Sequence, residues 1–116
     1  MTNVTRTVPL VTQHVNLGAN PSASGATQLV AADTNAKYRV LALAMVATVA
    51  NAVKFQSASN DITATWPLGA NGGLVLPFNE HGWFETSFGE ALNINMGTAT
   101  PTGVQLQYIK IPKTVG

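Results

Sequence analysis

The 116-residue sequence contains no cysteine. That absence excludes disulfide staples, thiolate metal centres and thiol catalysis, and it offers no sign of an oxidising compartment. Charge is nearly as scarce, at 9% of residues and a net +1, against about 25% in an ordinary soluble domain. So small a charge supplies no field to steer the chain towards nucleic acid or an anionic membrane. The basic residues Arg6, Lys37, Arg39, Lys54, Lys110 and Lys113 are scattered and not interleaved with aromatics, so no nucleic-acid partner is expected. The start, Met1-Thr2-Asn3-Val4-Thr5-Arg6, lacks the basic region and apolar run of a secretory signal. The longest apolar stretch, residues 40–53, is interrupted by Thr48 and Asn51 and is too short for a membrane helix of about 20 residues. No membrane partner is expected.

Thr, Asn, Ser and Gln supply the polar surface in place of charge. Poorly charged, near-neutral surfaces tend to associate. The composition therefore implies a chain covered by copies of itself or by a partner.

Length fits one domain with a core of its own. Val, Thr and Ile dominate, and Gly, Pro, Asn and Ser break the chain every few residues, as in a sandwich or barrel. Residues 4–17 are extended, but Pro9 suits an arm or edge strand better than a central one. We expect an N-terminal arm and linker over residues 1–26 and a β-sandwich over 27–116. Roughly eight strands are expected, near residues 27–31, 38–49, 52–56, 62–66, 74–78, 83–86, 92–96 and 104–111. Asn71-Gly72-Gly73 supplies positive φ for a hairpin turn. In the last strand Val104, Leu106 and Tyr108 face one way and Gln105 and Gln107 the other, with a bulge expected near Lys110.

The stretch Val40-Leu41-Ala42-Leu43-Ala44-Met45-Val46 is apolar on both faces. Its alanines allow a buried helix, whereas its β-forming flanks and missing cap favour a strand. As a strand it puts Leu41, Leu43 and Met45 in the core. Val40, Ala42, Ala44 and Val46 then form an outer face, either an oligomer interface or a surface covered by the arm.

The chemical inventory is short. Glu80, His81, Glu85 and Glu90 cluster in sequence, but nothing in their spacing forces two carboxylates together, as a glycosidase pair or a metal site would require. His14 has no partners for a triad, and phosphate loops, dinucleotide fingerprints and zinc spacings are absent. We expect no enzyme and no cofactor. Trp66 and Trp83 would suit stacking on sugar rings if exposed, or core and interface positions if not.

Three groups of phrases carry a resemblance. The first is Tyr38-Arg39-Val40-Leu41-Ala42-Leu43 followed by Val53-Lys54-Phe55-Gln56-Ser57. The second is Leu68-Gly69-Ala70-Asn71-Gly72-Gly73-Leu74-Val75-Leu76-Pro77. The third runs from Trp83-Phe84-Glu85-Thr86 through Gly89-Glu90-Ala91-Leu92-Asn93-Ile94-Asn95 to Gly103-Val104-Gln105-Leu106-Gln107-Tyr108. Together, over about residues 37–111, they resemble small structural proteins of tailed bacteriophages, and among these the capsid cement or decoration proteins. The resemblance implies a sandwich of jelly-roll type, so the expected fold is an all-β, single-domain antiparallel β-sandwich of that type, carrying the extended N-terminal arm read above from residues outside the resemblance. It further implies a homotrimer that binds the major capsid protein and stabilises the lattice. Such a protein assembles in the host bacterial cytoplasm and resides in the virion, on the outer surface of the capsid. Arg6, Val8, Pro9, Leu10 and Val11 are the expected docking residues, since an extended segment can add a strand to a neighbour's edge. The other reading is a tail, fibre or carbohydrate-binding module that recognises host surface glycans through Trp66 and Trp83.

Overall fold

The computed structural model describes residues 13–113. Among them it contains ten strands and no helix: β1 (His14–Ala19), β2 (Gly25–Val30), β3 (Ala36–Ala47), β4 (Asn51–Ser57), β5 (Asn60–Asp61), β6 (Trp66–Leu68), β7 (Gly73–Leu76), β8 (Phe84–Glu85), β9 (Leu92–Met96) and β10 (Thr102–Pro112). The protein is all-β. The alanine-rich stretch is strand β3, and the two-faced apolar run continues through a short bend into β4.

Two antiparallel sheets of five strands each form. The first has the order β1-β10-β3-β7, with β8 also on β3; the second has β2-β9-β4-β5, with β6 also on β4. The pairings are nested about the middle of the chain: β1 with β10, β2 with β9, β3 with β7 and β8, and β4 with β5 and β6. The turn at Asn71 has the expected positive φ of 59° and a Gly72 N–H to Gly69 carbonyl bond of 2.8 Å. It joins β6 of one sheet to β7 of the other, so it carries the chain between layers and closes no hairpin.

Strand alternation gives each sheet an inner face. Leu92, Ile94 and Met96 of β9 are fully buried, and so are Val53 and Phe55 of β4. From the other sheet they meet Tyr38, Val40, Leu43, Met45, Val104 and Leu106 in one cluster. Phe55 sits among rings, with its centroid 5.0 Å from Phe84 and 6.2 Å from Trp66. Burying a side chain of that size contributes roughly 2–3 kcal/mol.

Strand β3 departs from simple alternation at one place. Its register with β10 runs from Ala47 opposite Thr102 to Ala42 opposite Gln107, and then steps to Val40 opposite Tyr108. Leu41 is the extra residue of a bulge, which reverses which side chains point inward. Val40, at 0% exposure, is therefore a core residue, while Leu41 is buried outside the main cluster. This corrects the expected assignment, in which Leu41 faced the core and Val40 lay outside. The bulge falls between Gln107 and Tyr108, short of the expected position at Lys110, because its extra residue lies in β3 and not in β10.

A candidate assembly surface on the outer face of the first sheet

Below the bulge the outer face of the first sheet is read directly from the register. Gly18, Gln105, Ala44 and Val75 stand in one row across the four strands. Asn16, Gln107 and Ala42 form the row towards the bulge, and Gly103, Val46 and Gly73 the row away from it. No charged residue stands in any of the three. Val46 is 54% exposed and Val75 69%. Small residues make this face a shallow groove running along the strands, floored by Ala42, Ala44, Gln105 and Gln107. Gly73 is required where it stands, since a Cβ there would lie 2.5 Å from the Met45 carbonyl oxygen.

A ridge closes one end of the groove. Residues 77–83, between β7 and β8, leave the sheet edge opposite the bulge. Their backbone is pinned there by Asn79 N–H to the Leu41 carbonyl at 2.9 Å and Trp83 N–H to the Val40 carbonyl at 2.8 Å. Gly82 takes the turn at φ 84°, and the Trp83 indole N–H donates to the Pro77 carbonyl at 2.8 Å. Phe78 reaches His14, the first residue of β1, with ring centroids 5.8 Å apart. The ridge thus crosses the outer face from one edge strand to the other. It accounts for the burial of Leu41 and Ile109, which lie outside the main core cluster.

Beyond the ridge the face is charged. Glu85 accepts from Lys37 Nζ at 2.7 Å and from Arg39 Nε at 2.8 Å, and the Lys37 ammonium lies 5.0 Å from the Phe88 ring centroid. Partial burial pushes the Glu85 carboxyl up, but the hydrogen bonds from Lys37 and Arg39 outweigh it and hold the group below the usual glutamate range. On the other side of the sheet, at the rim of the core beside Tyr38, Lys110 pairs with Asp33 at 2.6 Å. The Lys110 hydrogen bond, aided by the Asn35 N–H, lowers the Asp33 carboxyl, and Asp33 raises the Lys110 ammonium in turn.

The second sheet's outer face is a contrast. A row of polar side chains, Gln28, Asn93, Gln56 and Asp61, crosses its four strands. Gln56 donates to Asp61 at 2.8 Å and accepts from Asn95 at 3.2 Å. This face is polar; Asn93 donates to the Ala58 carbonyl at 2.9 Å, while its Oδ1 is buried with no partner among the described residues.

Of the residues expected at an oligomer interface, Ala42, Ala44 and Val46 share the outer groove, and Val40 does not, for the reason given by the bulge. Arg6, Val8, Pro9, Leu10 and Val11 lie outside the described residues. Residues 14–19 of the expected arm form edge strand β1. Trp66 is half-buried against Phe55 and Phe84, while Trp83 is 42% exposed. Glu80 and His81 are exposed on the ridge, with 3.7 Å between Glu80 Oε2 and His81 Nε2. Glu85 is occupied by its two cations, and Glu90 accepts from Ser57 Oγ. Val75 and Phe78 belong to the same surface without a sequence signal, because Leu74-Val75-Leu76 shows no alternation to mark an outward side chain.

No protein-family model matches the chain, and no curated protein matches it in sequence. Among solved structures it is similar to a protein of Bacillus endospore appendages, which form a family of disulfide-linked pili. The two share 15% identity at a TM-score of 0.49, over 97% of this chain and 100% of that one.

Proposed function

We propose that this chain is a structural, non-enzymatic protein that acts by assembling: a jelly-roll subunit that self-associates and decorates the outer surface of a bacteriophage capsid. The observation that carries the assembly part is the charge-free groove, with Val46 and Val75 more than half exposed beside Ala42, Ala44 and Gly73. Sheet faces built of small apolar residues let another surface approach closely, and apolar patches of this kind mark interaction sites. The jelly-roll reading is supported by the nested pairing. With β5 and β6 counted as one interrupted strand, and β7 and β8 as another, eight strands remain. They form two four-stranded sheets that follow a single long hairpin wrapped on itself. The virion assignment, the trimer and the major capsid protein as partner rest on the resemblance over residues 37–111.

Multi-angle light scattering tests the assembly part: a defined oligomer is expected, and a monomer at high concentration would overturn it. Immunogold labelling of phage particles tests the rest. Label across the head lattice supports a cement protein, and label confined to the tail overturns that assignment. One observation favours the glycan-binding alternative, the exposure of the Trp83 ring on the ridge; it requires glycan binding that is lost in Trp83→Ala.

A further inference from the structure

Charge pairing singles out one side chain. Among the described residues, the carboxylates of Asp33, Asp61 and Glu85 each meet a lysine or arginine within the chain, and Glu90 accepts from Ser57. Glu80, 78% exposed at its side chain, has only the neighbouring His81. It stands on the ridge at the end of the groove, close in sequence to Phe78, which is 55% exposed. The ridge at the end of the uncharged trough thus carries both an exposed carboxylate and an exposed ring.

The segment before β1 carries complementary groups. Arg6 is the one charged residue among residues 1–13, and Val8 and Leu10 follow it at alternate positions. In an extended segment these three share a face. From Arg6 to Leu10 is about 13 Å at strand rise. The groove from Ala42, beside the ridge, to Val46, in the row of Gly73, spans the same number of residues of strand.

We propose that residues 4–11 of one copy seat in the groove of a second copy, with Arg6 on Glu80 and Val8 and Leu10 over the alanine floor. This rests on the self-assembly reading above and names the segment that carries it. Direction decides between copies. A chain's own segment would enter the groove from His14, which lies at the ridge, so Leu10 would come first and Arg6 would end about 13 Å away from Glu80. Folding back also needs a tight reversal within Val11-Thr12-Gln13, which contains none of Gly, Asn, Asp or Pro. A segment from a second copy meets neither obstacle.

Charge exchange tests this. Arg6→Glu and Glu80→Arg are each expected to weaken self-association about tenfold or more, as like charges meet at the ridge. The double variant should recover it. Mixing the two single variants should give complexes that neither forms alone, because the glutamate introduced before β1 in one chain then meets the arginine introduced on the ridge of the other. Circular dichroism of each variant checks that the sandwich is intact, and Glu80→Gln, which adds no charge, should give an intermediate loss. A wild-type monomer would defeat the assembly reading itself. An oligomer indifferent to Arg6→Glu would overturn this seat alone, and recovery in the double variant without complexes in the mixture would overturn the exchange between copies.

Discussion

His14 and Phe78 stack at 5.8 Å with their planes tilted by 42°, although one opens the first edge strand of the sheet and the other follows the last. The contact is possible because residues 77–83 leave the sheet where the Leu41 bulge interrupts it, and two backbone hydrogen bonds to Val40 and Leu41 anchor the excursion. A bulge in a central strand thereby becomes a wall on the surface.

Gly82→Ala should loosen that wall. Its φ of 84° strains any side-chain-bearing residue, and a Cβ there would collide with Cγ of Arg39. We expect a cost of about 1–3 kcal/mol. Hydrogen exchange should show the amides of Asn79 and Trp83 losing protection while β4 and β9 keep theirs. Uniform loss across both sheets would mean that the ridge is not a separable unit.

The strands of the interior were legible wherever alternation was clean. Leu92, Ile94 and Met96 against Asn93 and Asn95 mark β9 to the residue, and Val104, Leu106 and Tyr108 set the inward side of β10. Legibility failed where local pattern carries no phase. An unbroken run such as Val40-Leu41-Ala42-Leu43 cannot reveal a bulge, because either neighbour can serve as the core residue. Tertiary pairing with β10 decides, and it chose Val40. The Asn-Gly-Gly turn was visible as a turn, but which layers it joins depends on partners distant in sequence. The groove was half-visible for the same reason: Ala44 and Val46 stood out, whereas Phe78 became part of it only through a loop crossing.

A buried polar knot should be worth more than its size suggests. Asn51, 3% exposed, accepts from the Thr98 N–H at 3.0 Å and donates to Thr102 Oγ1 at 3.3 Å. It ties β4 to the chain between β9 and β10. Asn51→Leu removes the knot and takes the acceptor from the part-buried Thr98 N–H, while the Thr102 hydroxyl keeps its bond to the Thr100 carbonyl at 3.3 Å, for an expected loss of about 2–3 kcal/mol. Thermal unfolding should fall by roughly 10 °C or more in a domain of this size. Thr102→Val should cost less, about 1 kcal/mol, and the double variant less than the sum. Strict additivity would show that the two residues do not act together.

Acid should weaken the fold through its paired carboxylates. Glu85 is lowered because the Lys37 and Arg39 hydrogen bonds overcome the opposing effect of its burial. Asp61 is lowered first by Gln56 and then by Lys54, and Asp33 first by Lys110. A carboxyl lowered by folding contributes stability that is complete above its unfolded value, 4.5 for Glu85 and 3.8 for the aspartates. That stability is lost as pH falls through the lower folded value. Denaturant unfolding should therefore show stability level near neutrality and declining below those values. Glu85→Gln should be less stable than the wild type by about 1 kcal/mol at pH 7, with the difference closing in strong acid. A constant difference across the whole pH range would assign the loss to packing and not to charge.

Ala44→Glu puts the assembly surface itself to the test. Ala44 is exposed on the groove floor between Gln105 and Val75, so a glutamate there finds solvent in the single subunit and should leave its stability within about 0.5 kcal/mol of wild type. In an assembled particle the same carboxylate is trapped against apolar neighbours without a cation, at a cost of about 3 kcal/mol or more, roughly a hundredfold in affinity. Gln28→Glu adds the same charge to the exposed polar face of the second sheet, beside Asn93, and serves as its control. Sedimentation of both variants over a range of concentrations should show Ala44→Glu dissociating while Gln28→Glu behaves as wild type. If both dissociate alike, general charge repulsion is the cause. If neither does, the groove is not the surface through which the subunits meet.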